Sequence, residues 1–118
     1  MKNNTQIEVS NTLNKKLTEV EAINHSDMPY IKSFFSDYYK ALMNMFTIVQ
    51  KYCCIVIGNR TINKNITFPM DSVTEEFGTN IGFTLVKFYY RKIPTKAIAW
   101  EAISGSTMDM ENIIILKK

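Results

Sequence analysis

The clearest pattern in the chain is an apolar stripe at helical spacing between residues 26 and 50. Ser26 or Asp27 offers an N-cap oxygen, and Pro29 falls in the first turn, where its missing N–H costs nothing. The stripe consists of Ile31, Phe34, Phe35, Tyr38, Leu42, Met45, Phe46 and Val49. Because the other face is more polar, this pattern predicts a long amphipathic helix that packs against a broad surface such as a sheet.

A weaker helical pattern precedes it. Residues 1–26 are polar overall, but Leu13, Leu17 and Val20 recur at helical spacing. We interpret residues 1–26 as a polar N-terminal extension with a short helix, and residues 27–118 as a single α+β domain. Two roles for the short helix stay open: it lies on the domain, or it is an arm that binds a partner.

The residues after Tyr52 change to β-branched and apolar types. Residues 53–57 read as a strand, Gly58-Asn59 as a turn and residues 60–62 as the returning strand, which together predict a hairpin. A short helix is then expected from Pro69 and Asp71 through about Phe77, ending at Gly78.

The remainder of the chain has strand patterns at residues 81–90, 97–104 and 112–116. The connections between them are short, which favours antiparallel pairing, because parallel strands need long crossovers. The predicted fold class is therefore α+β, with a long N-terminal helix packed on a curved antiparallel sheet.

Composition narrows the classes of function. The 118 residues carry a formal charge of +3 with scattered lysines, so no direct binding of nucleic acid is expected. The basic pairs Lys15-Lys16 and Lys117-Lys118 read first as solvated charge and second as a patch for an acidic partner. The adjacent Cys53 and Cys54 provide neither a disulfide framework nor a zinc spacing, and no run is long enough to span a membrane.

No self-sufficient catalytic motif is visible. His25 has no catalytic partner at a recognised spacing, and the acids Glu75-Glu76, Asp109 and Glu111 lie near turns or helix ends, where carboxylates are usually hydrated. Residues 104–106 lack the glycine-rich turn of a phosphate loop. We expect no catalytic residues, no metal and no cofactor.

Aromatic residues cluster on the predicted strands at Phe83, Phe88, Tyr89, Tyr90 and Trp100. An alternating strand cannot hide both faces unless the sheet is covered on both sides. One helix covers one face, so the other is expected to carry an apolar patch that binds a protein partner.

Several strings resemble the nuclear transport factor 2 family, a cone-like fold of helices against a bent antiparallel sheet. Residues 34–39 (FFSDYY) are similar to a motif in its first helix, and Tyr52 with the apolar run to Gly58-Asn59 resembles its first hairpin. Residues 97–106 and 111–117 resemble two of its later strands. The resemblance covers about residues 28–117 and omits the family's final strand, which implies an open sheet edge for a partner chain to cover.

The resemblance implies a non-enzymatic protein-binding subunit in nuclear transport, in particular mRNA export, found in nucleus and cytoplasm. Its implied partners are a larger export-receptor subunit or a second copy, and nuclear pore proteins, with no membrane contact. Val56-Ile57 stands where the carrier of the GTPase Ran has an aromatic and an acid, which argues against GTPase binding.

We predict partner contacts through the sheet face. The residues assigned to them are Phe83, Leu85, Phe88, Tyr90, Trp100, Asp109 and Glu111. The alternative is a small cone-pocket enzyme or ligand-binding protein of the same fold, with Tyr38, Asp37 and Glu101 as its polar groups.

Overall fold

The computed structural model describes residues 8–23, 25–62, 66–92 and 110–118. Its helices are α1 (Asn11–Ile23), α2 (Met28–Ile48) and α3 (Met70–Ile81), with a 3-10 turn at His25–Asp27 between the first two. Its strands are β1 (Tyr52–Ile57), β2 (Arg60–Ile62), β3 (Ile66–Phe68), β4 (Thr84–Lys92) and β5 (Met110–Lys117). The predicted α+β class is confirmed. The strand predicted at residues 97–104 lies outside the described residues.

The long helix is α2, with 21 residues. It is the second helix of the chain, so its description as N-terminal is wrong. Pro29 lies in its first turn as expected, and Asp27 occupies the N-cap position without a capping hydrogen bond from its side chain.

The short helix predicted in the N-terminal region is confirmed as α1. Leu13, Leu17 and Val20 are all buried in the same hydrophobic core as the other two helices. The Ser10 hydroxyl accepts a hydrogen bond from the Leu13 N–H at 3.1 Å, which satisfies one of the unpaired donors of the first turn.

Helix α3 begins where the side-chain oxygen of Asn59 accepts the Met70 N–H at 2.9 Å. The expectation that it stops at Gly78 is wrong, since it continues to Ile81 and ends at Gly82, whose φ of 136° suits glycine. Gly78 has a different role: a Cβ there would lie 3.2 Å from the Leu116 side chain, so its absence lets α3 lie close to β5.

The main sheet has the strand order β1-β5-β4 and is antiparallel throughout. Cys53 pairs with Leu116, while Phe88 pairs with Ile114 on the other side of β5. The predicted hairpin between residues 53–57 and 60–62 is wrong, because β2 pairs with β3 in a separate two-stranded sheet.

The helices and the core lie on one face of the three-stranded sheet. Helix α3 lies directly on β4 and β5, and α2 packs mainly against α3. At its C-terminal end α2 reaches the sheet, where the Phe46 ring meets that of Phe83 edge-on, with centroids 5.0 Å apart. The expectation that the stripe of α2 lies across the strands therefore holds for this end only.

Candidate functional site

The three-stranded sheet has an inner face, covered by the helices, and an outer face, which we treat as the candidate site. Burial alternates along β5, with Asn112, Ile114 and Leu116 buried and the residues between them more exposed. The outer face, set by register and alternation, consists of Tyr52, Cys54 and Val56 on β1, Glu111, Ile113, Ile115 and Lys117 on β5, and Thr84, Lys87, Tyr89 and Arg91 on β4.

The predicted partner-binding residues Phe83, just before β4, and Leu85 and Phe88, within β4, belong to the inner face instead. Phe83 is only 3% exposed, and Leu85 and Phe88 pack against the core. Their expected position on a free face is therefore corrected. The physical reason is a β-bulge between Leu85 and Lys87, which shifts the alternation so that Leu85 and Phe88 both face inward.

Tyr90 is paired with the inward-facing Asn112 but lies near the end of the sheet and is 52% exposed. Its hydroxyl donates to the Asp71 carboxylate at 2.8 Å, and this hydrogen bond is the main reason that its pKa is raised. Tyr90 thus ties β4 to the start of α3. Trp100 and Asp109 lie outside the described residues.

Glu111 is the one predicted partner residue that the described structure places on the outer face. It is paired with Arg91 across the strands, and its carboxylate accepts hydrogen bonds from the Nε of Arg91 at 3.0 Å and from an Nη. The partner cation is exposed, so this pair adds little to stability and mainly neutralises Glu111.

An apolar strip crosses the centre of the outer face. Val56, Ile113 and Tyr89 stand side by side on the three strands, because both Val56 and Tyr89 pair with Ile113. Val56 is 53% and Tyr89 48% exposed. Cys54 and Ile115 form the next row. The exposed Val56 and Tyr89, with the half-buried Ile113 between them, form an apolar patch of the kind that marks binding surfaces.

Cations border this strip. Lys87 holds its Nζ 5.5 Å from the centre of the Tyr89 ring, and Lys51 holds its Nζ 5.4 Å from that of Tyr52. Lys117 points outward beyond Ile115 on β5. Among the outward-facing residues of the three described strands Glu111 is the only acid, so the rim carries a net positive charge.

The polar groups of the alternative pocket do not converge in the described structure. Tyr38 faces inward and shares a hydrogen bond with Thr74 at 2.5 Å, while Asp37, next to it on α2, is exposed. Burial is the largest cause of the raised pKa of Tyr38. Glu101 lies outside the described residues.

Among the remaining candidate residues, Glu76 has a structural role. Glu76 accepts hydrogen bonds from Ser10 and Thr12 and so fixes the start of α1. The side chain of His25 and residues 104–106 lie outside the description. In the described part of the chain no cluster of three His, Cys, Asp or Glu could hold a metal ion, and no helix is long and apolar enough to cross a membrane.

Sequence reasoning missed Val56, Ile113 and Ile115 as surface residues. The run from Ile113 to Leu116 is continuously apolar, so its composition carries no signal of which side chains face outward. Lys117 and Glu111 do carry that signal, because they share a parity with Ile113 and Ile115 on a strand of period two.

Comparisons with family models, with curated proteins and with solved structures find no match for this chain.

Proposed function

We propose that the chain is a non-enzymatic protein-binding subunit that holds a different protein on its outer sheet face. The observation that carries this proposal is the exposed strip of Val56, Ile113 and Tyr89, which spans all three strands opposite the helices. Burying such a strip contributes roughly 25 cal/mol per Å² of apolar surface, so a partner gains by covering it.

The charge of the rim favours a different protein over a second copy of this chain. Lys87, Arg91 and Lys117 face outward, and the carboxylate of Glu111 is already engaged by Arg91. A face-to-face dimer would bring two cationic rims together, and like charges across an interface oppose association.

The placement of the aromatic rings favours protein over single-stranded nucleic acid. Tyr52 pairs with Lys117, and Tyr89 with Ile113, so the rings lie two strands apart and four residues along. At the usual strand spacing and rise this separation is about 16 Å, too far for neighbouring bases to stack on both rings. The residue midway between them is Ile115, whose side chain is aliphatic.

The role in nuclear transport and mRNA export is carried by the resemblance to the nuclear transport factor 2 family and stays a prediction. The same holds for the cone-like curvature, for nuclear pore contacts and for residence in nucleus and cytoplasm. The docking surface on the outer face stands on its own geometry and does not depend on those assignments.

Site-directed crosslinking followed by reconstitution tests the proposal. A photoreactive residue replaces Val56, the captured protein is identified and purified, and its affinity is measured by calorimetry for the unmodified chain, Val56→Gln and Ile48→Gln. Ile48 is the matched control, because it is an exposed aliphatic residue on the helical side, 79% accessible. We expect Val56→Gln to weaken binding at least about tenfold and Ile48→Gln to leave it unchanged.

The opposite pattern, or equal loss in both variants, would contradict docking on this face. A crosslinker that reacts only with the chain itself, in a monomer, would show that the chain covers its own outer face and would also remove the proposal.

A further inference from the structure

The charged residues at the borders of the outer face indicate the chemistry of the partner more specifically than the apolar strip does. Each exposed tyrosine of this face has a lysine ammonium over its ring, Lys87 over Tyr89 and Lys51 over Tyr52. Both lysines are exposed, so solvent still reaches each of them beside its ring. A partner carboxylate can therefore meet the ammonium while the partner's apolar side chains cover the ring.

The cations lie along the β4 side of the apolar centre and beyond its second row. Lys87 and Arg91 flank Tyr89 on β4, and Lys117 follows Ile115 on β5. Glu111 cannot offset them all, since a single carboxylate neutralises Arg91 and leaves Lys87 and Lys117.

The size of the apolar centre fits one helix. The strip spans three strands, and the row of Cys54 and Ile115 spans two, with Lys87 at its third position on β4. At about 4.8 Å between strands and about 6.6 Å between rows, the centre measures roughly 10 by 7 Å. An α-helix with side chains is about 10 to 12 Å wide, so its apolar stripe covers this area and its flanking residues fall on the rim.

We infer that the outer face binds an acidic amphipathic helix, with carboxylates on the borders of its apolar stripe that pair with Lys87 and Lys117. This inference rests on the proposed function and names the chemistry of the partner. It follows the helix-on-surface mode of recognition, in which apolar anchors set the position and charges set the partner.

Three synthetic 20-residue helical peptides with the same leucine stripe test the inference. Their border positions are all glutamate, all glutamine or all lysine, and binding is followed by fluorescence anisotropy. We expect the glutamate peptide to bind at least about tenfold tighter than the glutamine peptide at low salt, with most of that difference lost at about 0.5 M NaCl, where charges are screened within a few ångströms.

Two double variants locate the effect. Lys87→Gln with Lys117→Gln is expected to abolish the preference for glutamate. Lys15→Gln with Lys16→Gln removes the same charge from α1, distant in sequence from the sheet, and is expected to retain the preference. Equal effects of the two double variants would overturn the inference, because the preference would then reflect net charge alone.

The outcomes also separate the inference from the proposed function. Equal binding of the glutamate and glutamine peptides, weakened by Val56→Gln, would leave a docking face without a preference for acids and overturn the inference only. Failure of all three peptides would overturn the helical partner, and the crosslinking experiment would then decide the docking face independently. Tighter binding of a uridine 12-mer or of phosphatidylserine vesicles than of the glutamate peptide would overturn both.

Discussion

Thr12 donates two hydrogen bonds to the carboxylate of Glu76, from its backbone N–H at 3.1 Å and from its hydroxyl at 2.7 Å. The Ser10 hydroxyl donates to the same carboxylate at 2.5 Å. Glu76 lies on α3 and these donors lie at the start of α1. A residue more than sixty positions away in the sequence therefore acts as an N-terminal cap of α1. This contact fixes the first helix on the rest of the molecule.

Glu76→Gln is expected to destabilise the protein by about 1 to 2 kcal/mol, because an amide accepts these hydrogen bonds less strongly and turns a donor toward them. Urea unfolding followed by circular dichroism measures the change. Glu75→Gln removes the same charge from the adjacent position and is the control. A loss of similar size in both variants would mean that charge, rather than the cap, is responsible.

The hydrogen bond between Tyr38 and Thr74 joins α2 to α3, and Thr74 is fully buried. Tyr38→Phe leaves the Thr74 hydroxyl unpaired and is expected to cost about 1 to 2 kcal/mol. Adding Thr74→Val removes the unpaired hydroxyl, so the double variant is expected to recover part of the loss. Strict additivity in this double-mutant cycle would contradict the coupling.

Tyr38 also predicts a dependence of stability on alkaline pH. Burial raises its pKa in the folded state above the ordinary value of 10.0, so the unfolded chain loses this proton first. Its contribution is complete below pH 10.0 and is lost as the pH rises through that value toward the folded-state pKa. Urea unfolding from pH 9 to 11 is expected to show a steeper decline for the unmodified protein than for Tyr38→Phe. If the free energy of unfolding falls equally steeply with pH in both proteins, the pH dependence does not arise from Tyr38.

Gly82 ends α3 with a φ of 136°, and a Cβ at this position would lie 2.9 Å from the Phe46 ring. Gly82→Ala is expected to destabilise the protein by about 1 to 3 kcal/mol, through backbone strain and the steric clash together. Thermal unfolding of Gly82→Ala in combination with Phe46→Leu separates the two causes. If the steric clash dominates, Gly82→Ala destabilises the protein much less when Phe46→Leu is also present. If Gly82→Ala causes no destabilisation with either residue at position 46, neither strain nor the clash is responsible.

The positions of the helices followed from local periodicity, because their apolar residues recur at a fixed spacing, but the buried face of α2 also includes Ser36 and Tyr39, which lie outside the predicted stripe. Leu13, Leu17 and Val20 were predicted on one face and are all buried. The end of α3 was not predictable, since Gly78 carries the usual stop signal but serves close packing against Leu116. A rule based on local sequence cannot predict that tertiary contact.

The pairing of the strands and the identity of the outer face could not be predicted locally. Gly58-Asn59 has the composition of a hairpin turn, but Asn59 bonds Met70 and Asn112, and β1 pairs with a strand some fifty residues later. The bulge after Leu85 places Leu85 and Phe88 on the same inner face of β4, where strict alternation would separate them. One inserted residue changes every side chain beyond it, and the sequence marks no such insertion.

The central position of β5 has a consequence for how the molecule assembles. Among the described strands, β1 and β4 are joined only through β5, which follows both of them in the sequence. During synthesis on the ribosome neither β1 nor β4 can form its pairing with β5 until residues 110–117 emerge. Formation of this three-stranded sheet is therefore a late event, and in a nascent chain interrupted before β5 the edges of β1 and β4 that pair with β5 are left open to aggregation.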